Sequence, residues 1–399
     1  MKANKKTIII PFQMPWDWSA DYQKQTCFVL AKKHQVIAFM YLDAVFFLKK
    51  FFQKEKKYPQ LPNINFYQPS YFLPFRRLAL INKINQIINL KIIAWKYNQA
   101  QNLLHSWLKN IFSFEQKRKN GKEKNLILWI FDPSFYFYPK TLKATSIYDC
   151  VDYQWRINEA EKKQVQAMEK KLIDNVDYFL VNSKALQKIH QKQRVADLLV
   201  PQGFRSDDFQ KAKAAKSLPK NKPLIGFVGA LGYRLDYPLL FSLIENNPQW
   251  NFVLWGPKQI EKNLKADETA KNLKKLLQYE NVISGENKNR KKIPSIIKQF
   301  DVCMIPYNPN YDFNRYCYPM KLFEYFYLGK PVISTEIEEL KYFPKYVKIS
   351  NQAAEWEKHI CQLLKKPWQK KYQQEQKQLA IENSWEKKVE MILKLIARR

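Results

Sequence analysis

The sequence predicts an α/β protein made of two doubly wound domains, and three observations predict it. Short apolar runs rich in β-branched residues alternate with longer amphipathic ones, the pattern of parallel strands joined by helices. That pattern runs as far as a polar linker, KAKAAKSLPKNKP, and then restarts. A chain of 399 residues also has room for two domains, each with a sizeable core.

The elements follow in order. In a first domain, 1–210, strands are expected at Thr7–Pro11, Gln35–Tyr41, Leu126–Phe131, Thr145–Tyr148, Tyr178–Asn182 and Asp197–Pro201. Helices are expected at Ala20–Lys33, Asn158–Asn175 and Lys184–Gln191, with a basic helical hairpin near Leu78–Leu108 inside an insertion at about 44–124. In a second domain, 222–375, strands are expected at Leu224–Val228, Asn251–Gly256, Asn281–Ser284, Val302–Ile305 and Val332–Thr335, with helices between them. Ligands of such folds sit at the carboxyl ends of the strands, so loops leaving those ends are where chemistry is sought.

Composition narrows the class. No apolar run approaches the roughly 20 residues of a spanning helix, and Val36–Phe52, the nearest, is interrupted by Asp43, Lys49 and Lys50. The start, MKANKKTIII, is basic and then apolar, but its three isoleucines followed by Pro11 suit a first strand better than a signal peptide. Five cysteines without a C-x-x-C pair or partnered histidines argue for a reducing compartment and no zinc site.

The formal net charge is +32, which points to an anionic partner: nucleic acid, acidic lipid or phosphorylated small molecules. Abundant lysine, asparagine and isoleucine make part of that charge compositional. Its distribution says more. Between Ala44 and Lys124 the only acids are Glu55, Glu115 and Glu123, whereas Arg76, Arg77, Lys83 and Lys91 are among many bases interleaved with Phe72, Phe75 and Trp95. Such a segment suits a membrane interface, where ring and ammonium each find their layer. It also suits single-stranded nucleic acid, whose bases stack on rings.

Glycine is scarce, with only 8 in the chain against a usual share of about 7%. It is therefore expected mainly where a side chain does not fit. Three punctuate LIGFVGALGYRLDYP, where Gly229 and Gly232 lie in the loop leaving a strand, ahead of a helix near Tyr237. A strand, a glycine loop and a helix let backbone approach a phosphate, and Arg234 in that loop is a possible phosphate contact.

The stretch YPMKLFEYFYLGKPVIST, Tyr318–Thr335, reads as a helix over Met320–Leu328, started by Pro319 and stopped by Gly329, then a strand. Lys321 and Glu324 share a face of an otherwise apolar helix. A lysine in the first turn opposes the helix dipole, and a bound phosphate resolves the conflict. Glu324 is then placed to accept hydrogen bonds from a diol such as a ribose. An ion pair between the two side chains at the edge of a core helix is the competing explanation.

These residues resemble the GT-B glycosyltransferases, especially bacterial members akin to family 4 (group 1) and to teichuronic-acid-type enzymes. YPMKLFEYFYLGKPVIST resembles their donor-site motif, and IGFVGALGYRLDYPLL with WNFVLWGP resembles the opening of their nucleotide domain. ILWIFDP, IYDCVDYQW, MEKKLIDNVDYFLVNSKAL and LLVPQGFRSDDF resemble the family's ordered series in the first domain, and SWEKKVEMILKLI resembles its closing helix. The resemblance implies two Rossmann-like domains facing across a cleft, with 1–210 on the acceptor side, 222–375 binding the nucleotide-sugar, and 376–399 crossing back to the first domain. It implies that Glu324 binds the donor ribose and that Lys321, with Gly229 and Gly232 and beside Pro319, lies by the diphosphate.

Glycosyl transfer needs a stabilised diphosphate leaving group and an acceptor hydroxyl held close to a base. No D-x-D motif is present, so cations rather than a metal are expected to hold the diphosphate, with no cofactor. Asp149 and Asp152 are the base candidates, with Asp132 and Asp17 weaker ones, and each also suits local turn or N-cap bonding. Trp155 can stack on a sugar or fill core. The expected protein is cytoplasmic and peripheral on the inner face of the plasma membrane. It uses a nucleoside diphosphate-sugar and a glycan or lipid-linked acceptor in cell-envelope polysaccharide synthesis, and binds no specific nucleic acid. Two other classes fit parts of the sequence: a same-fold sugar-nucleotide epimerase, and a non-enzymatic basic nucleic-acid-binding protein.

Overall fold

A computed structural model describes residues 5–14, 16, 21–40, 59–67, 79–98, 125–153, 159–210, 217–259, 266–286 and 290–398. Seven strands form one sheet: β1 Thr7–Pro11, β2 Gln35–Phe39, β3 Ile64–Tyr67, β4 Leu126–Ile130, β5 Thr145–Cys150, β6 Tyr178–Val181 and β7 Leu198–Leu199, in the order β3-β2-β1-β4-β5-β6-β7. A second sheet holds β8 Leu224–Val228, β10 Asn251–Trp255, β12 Val282–Gly285, β13 Val302–Ile305, β14 Val332–Ser334 and β15 Val347–Ile349, in the order β12-β10-β8-β13-β14-β15. Two short strands, β9 Leu231–Gly232 and β11 Lys258–Gln259, pair by themselves. Central strands β1, β2, β4 and β5 pair in parallel, as do all neighbours of the second sheet.

Parallel sheets covered on both faces need strands that are apolar throughout. β4 (LILWI), β8 (LIGFV) and β10 (NFVLW) are buried along their whole length. This continuity made the central strands legible. The unforeseen strands are the ones at edges or of two or three residues: β3, β9, β11 and β15. β5 runs two residues further than expected, so Asp149 lies within the strand and not in the loop after it. Of the basic hairpin, one helix is described, Ala79–Asn98.

The chain divides into two compact units, the first comprising 1–150, 160–180 and 190–198 and the second 151–159, 181–189 and 199–399. The boundary is therefore less simple than a cut at 210, because the loops after β5 and β6 group with the second unit. The terminal segment 376–399 also groups there. Phe204 exchanges backbone hydrogen bonds with Asn383 and Trp385, and a Cβ on Gly203 would lie 2.2 Å from the Trp385 ring, so only glycine admits the indole.

In the second unit, helix Lys321–Tyr327 is seven residues long, shorter than Met320–Leu328, and the Leu322 N–H is already bonded to the Pro319 carbonyl. Gly329 ends it at φ +63°, the left-handed conformation that a side chain disfavours. Lys330 then donates to the carbonyls of Lys298 and Phe300, both at 2.7 Å, which ties the helix stop to the turn before β13.

Candidate functional site

Helix Lys321–Tyr327 presents its lysine to the carboxyl end of β8. The Lys321 ammonium donates to the Tyr307 hydroxyl and lies over the rings of Tyr307 and Phe227, 4.8 and 5.1 Å from their centroids. Among the described residues, no carboxylate oxygen lies within 4.0 Å of it, so the proposed ion pair with Glu324 does not form. Phenol and ring faces satisfy an ammonium only in part. The Gly229 loop reaches this lysine because it lacks a side chain: a Cβ there would stand 3.1 Å from Lys321 Cε and 2.8 Å from the Phe227 ring. Tyr325, one turn along the same helix and fully buried, accepts from the Val228 N–H at 3.1 Å and fixes where that loop begins.

Arg234 supplies a second cation. Its guanidinium lies over the rings of Tyr307 and Phe313, 4.2 and 4.6 Å from their centroids. Nε donates to Asn314 Oδ1 at 2.8 Å and Nη2 contacts Cys317 Sγ at 3.5 Å. Asn314 is buried and its amide also binds the Arg234 and Asn308 carbonyls, so the fork is held in one orientation. Arg234 and Lys321 thus share Tyr307, one at its face and one at its hydroxyl.

Glu324 is half-buried one turn after Lys321 on the same helix, and Pro319 precedes that helix. Gly232 is explained locally, since a Cβ there would lie 2.3 Å from the Gln259 carbonyl of the β9–β11 pair. Tyr307, Asn314, Cys317 and Tyr325 were not singled out from sequence. Their only signal was position: Tyr307 falls just beyond β13, at the carboxyl end of a strand.

The carboxylate candidates separate. Asp149 is fully buried in β5 and accepts from Trp129 Nε1 at 3.2 Å, so it braces the sheet and is withdrawn as a base. Asp132 caps the turn Pro133–Phe135 through the Ser134 N–H, the local role open to it from sequence. Asp152 lies in the second unit, under the influence of Arg234 and of Lys388, a buried lysine of the terminal helix Trp385–Ala397. Burial pushes its carboxyl up to about 6, outweighing the downward pull of both cations. Asp17 and Trp155 lie outside the described residues.

A shallow cavity of about 370 Å³ is lined by Asp236, Ser242, Asn308, Asn310 and Asn351 among others. None of its lining residues is basic, so anion-binding chemistry rests with Lys321 and Arg234 and not with this hollow. In the first unit, Lys91 is exposed, while Lys83 is half-buried with its ammonium 5.2 Å from the Phe137 ring centroid. Arg76 and Arg77 lie outside the described residues. No described helix is long and apolar enough to cross a membrane.

Residues 208–383 match the family of glycosyl transferases group 1. The chain is 26% identical over 208 residues to TuaH of Bacillus subtilis (strain 168), described as a teichuronic acid biosynthesis glycosyltransferase, covering 48% of this chain and 50% of that protein. The similarity thus spans half the length of this curated relative. Among solved structures, sucrose-phosphate synthase of Thermosynechococcus elongatus superposes with a TM-score of 0.70 at 13% identity, covering 99% of both chains. HepE of Anabaena, solved with UDP, superposes at 0.66 with 11% identity over 99% of this chain and 100% of its own. A trehalose-6-phosphate protein of E. coli, solved with UDP-2-fluoro glucose, gives 0.66 at 13% identity over 98% of this chain and 99% of its own. Two parallel α/β sheets, a glycine loop beside a basic helix and these likenesses lead to one conclusion: the chain has the GT-B fold with two Rossmann-like domains, and its residues 208–383 are similar to glycosyl transferases group 1.

Proposed function

We propose that the protein transfers a sugar from a nucleoside diphosphate-sugar to a glycan or lipid-linked acceptor in cell-envelope polysaccharide synthesis. The observation that carries the reading is the pair of cations meeting on Tyr307. Lys321 has no carboxylate partner among the described residues, and Arg234 is held in one orientation by Asn314 at Nε and Cys317 at Nη2. Two fixed cations at the carboxyl end of a sheet suit a diphosphate, and they act without a metal ion. Glu324 binds the ribose one turn further along. HepE and the E. coli protein, solved with UDP and a UDP-sugar, make uridine donors the first to try.

In the reaction, the acceptor hydroxyl oxygen forms a bond to the anomeric carbon. The bond from that carbon to the diphosphate oxygen breaks with its electron pair, and Lys321 and Arg234 stabilise the charge that develops. The hydroxyl proton passes to Asp152, which faces the charge of Arg234. Lys83 and Lys91, with Arg76 and Arg77, hold the acceptor-side domain against an anionic cytoplasmic leaflet. The resemblance to TuaH supports the cell-envelope setting.

Titration with a panel of nucleoside diphosphate-sugars, followed by incubation of the best binder with and without membrane extract as acceptor, tests the reading. Donor binding with acceptor-dependent release of nucleoside diphosphate is expected. Conversion of the donor with no acceptor present would identify an epimerase instead, and no binding by any donor would reject the proposal.

A further inference from the structure

A second cluster of reactive side chains lies in the first unit. Cys150 ends β5, Glu169 projects from helix Glu159–Asn175, and His190 ends helix Lys184–His190. Their ligand atoms form a nearly equilateral triangle. Cys150 Sγ is 3.7 Å from Glu169 Oε1 and 3.9 Å from His190 Nε2, and the last two atoms are 3.8 Å apart. The centre of such a triangle lies about 2.2 Å from each corner, within about 0.2 Å of the bond lengths zinc makes to thiolate, imidazole and carboxylate.

The surroundings favour a cation there. Glu169 is 6% exposed, and among the described residues no lysine or arginine lies within 4.0 Å of its carboxylate. A buried carboxylate without a cationic partner is costly, and its neighbours within reach are a thiol, an imidazole and the Tyr148 hydroxyl. Tyr148 and Cys150 are two apart in β5 and so face the same side, and the phenol donates to the same Glu169 oxygen. That bond orients the carboxylate as outer-sphere partners of metal ligands do. The His190 ring is fixed edge-on against Phe179, at 5.7 Å between centroids, and its side chain keeps 11% exposure as an entry path.

We propose that Cys150, Glu169 and His190 bind a zinc(II) ion, with water in the fourth position. Thiolate, carboxylate and neutral imidazole carry two negative charges, so a divalent ion leaves the buried site neutral. Binding releases the thiol proton to solvent, together with the carboxyl proton where Glu169 holds one. The ion joins strand β5 to the helices Glu159–Asn175 and Lys184–His190 and serves as a structural clasp. The sequence-based expectation of no zinc site rested on ligand spacing, and this trio has none: the residues are 19 and 21 apart and come from three elements.

The test uses the untagged full chain, depleted of metal by dialysis against chelator and then titrated with Co²⁺ and Zn²⁺. The wild type is expected to bind one Co²⁺ with a thiolate-to-cobalt charge-transfer band, to lose the band on adding Zn²⁺, and to gain several degrees in Tm with zinc in excess of Kd. Cys150→Ser is expected to fold, by circular dichroism, and to show neither band nor Tm gain. His190→Gln, at the more exposed corner, gives a second variant should the first fail to fold, with the same expectation. A wild type without the band, a band kept in either folded variant, or a Tm indifferent to zinc overturns the assignment.

Discussion

Lys321 and Gly229, 92 positions apart in sequence, meet so closely that a Cβ on the glycine would lie 3.3 Å from the lysine nitrogen. The glycine makes room for the cation, and the cation lies against backbone that has no side chain to screen it. Both residues were expected by one phosphate, and the fold brings them side by side.

Lys321→Ala is expected to weaken uridine diphosphate by about tenfold to 150-fold, the range of a charge-assisted contact of roughly 1.5–3 kcal/mol, and to leave uridine nearly unchanged. Gly229→Ala should give a similar loss with Lys321 still present, because the new methyl must displace the lysine or Phe227. Isothermal titration of the two ligands checks both, and equal losses for nucleotide and nucleoside would make the lysine structural.

Glu324→Ala is expected to lower donor affinity by about 30- to 150-fold, or roughly 2–3 kcal/mol, with an unchanged circular dichroism spectrum. A deoxyribose donor should bind the wild type and the variant about equally. Affinity for the ribose donor that survives the substitution would remove Glu324 from the site.

Asp152→Asn should reduce turnover by more than a hundredfold while changing donor Kd by less than about threefold, the signature of a group that acts on the reacting proton. In metal-depleted buffer, adding Mg²⁺ or Mn²⁺ should leave the wild-type rate unchanged, because cationic side chains hold the diphosphate. A rate that depends on either ion would contradict that division of labour.

Gly329→Ala tests the helix stop. The left-handed φ of +63° costs an alanine about 1–2 kcal/mol, and its methyl would lie 2.7 Å from Gln373 Cβ. Calorimetry should show Tm lowered by several degrees. A rise, as a stiffer unfolded chain alone would produce, would mean the loop relaxes freely.

Changing Arg76, Arg77, Lys83 and Lys91 together to glutamine should abolish sedimentation with anionic liposomes, since each base near such a surface contributes about 1 kcal/mol. Single-stranded oligonucleotides should bind weakly to wild type and variant alike. Tight oligonucleotide binding without liposome association would favour the nucleic-acid class.

The sequence by itself determined what depends on neighbours along the chain. The all-apolar runs of β4 and β8 announced buried parallel strands, because nothing but burial on both faces tolerates them. Gly329 announced a helix end, because the left-handed turn excludes a Cβ at that one position. The tertiary structure decided what depends on residues far apart. Asp149 and Asp152 are three apart in sequence and alike in chemistry, yet one is bonded to Trp129 inside a strand and the other is under the charge of Arg234 and Lys388. Tyr307 became the shared partner of Lys321 and Arg234 only when β8 and β13 were laid side by side. The Cys150–Glu169–His190 triangle likewise needs a strand and two helices to close. Spacing along a chain encodes turns and faces, whereas burial and the company a charge keeps are set by long-range packing, and those are what separate a brace from a base.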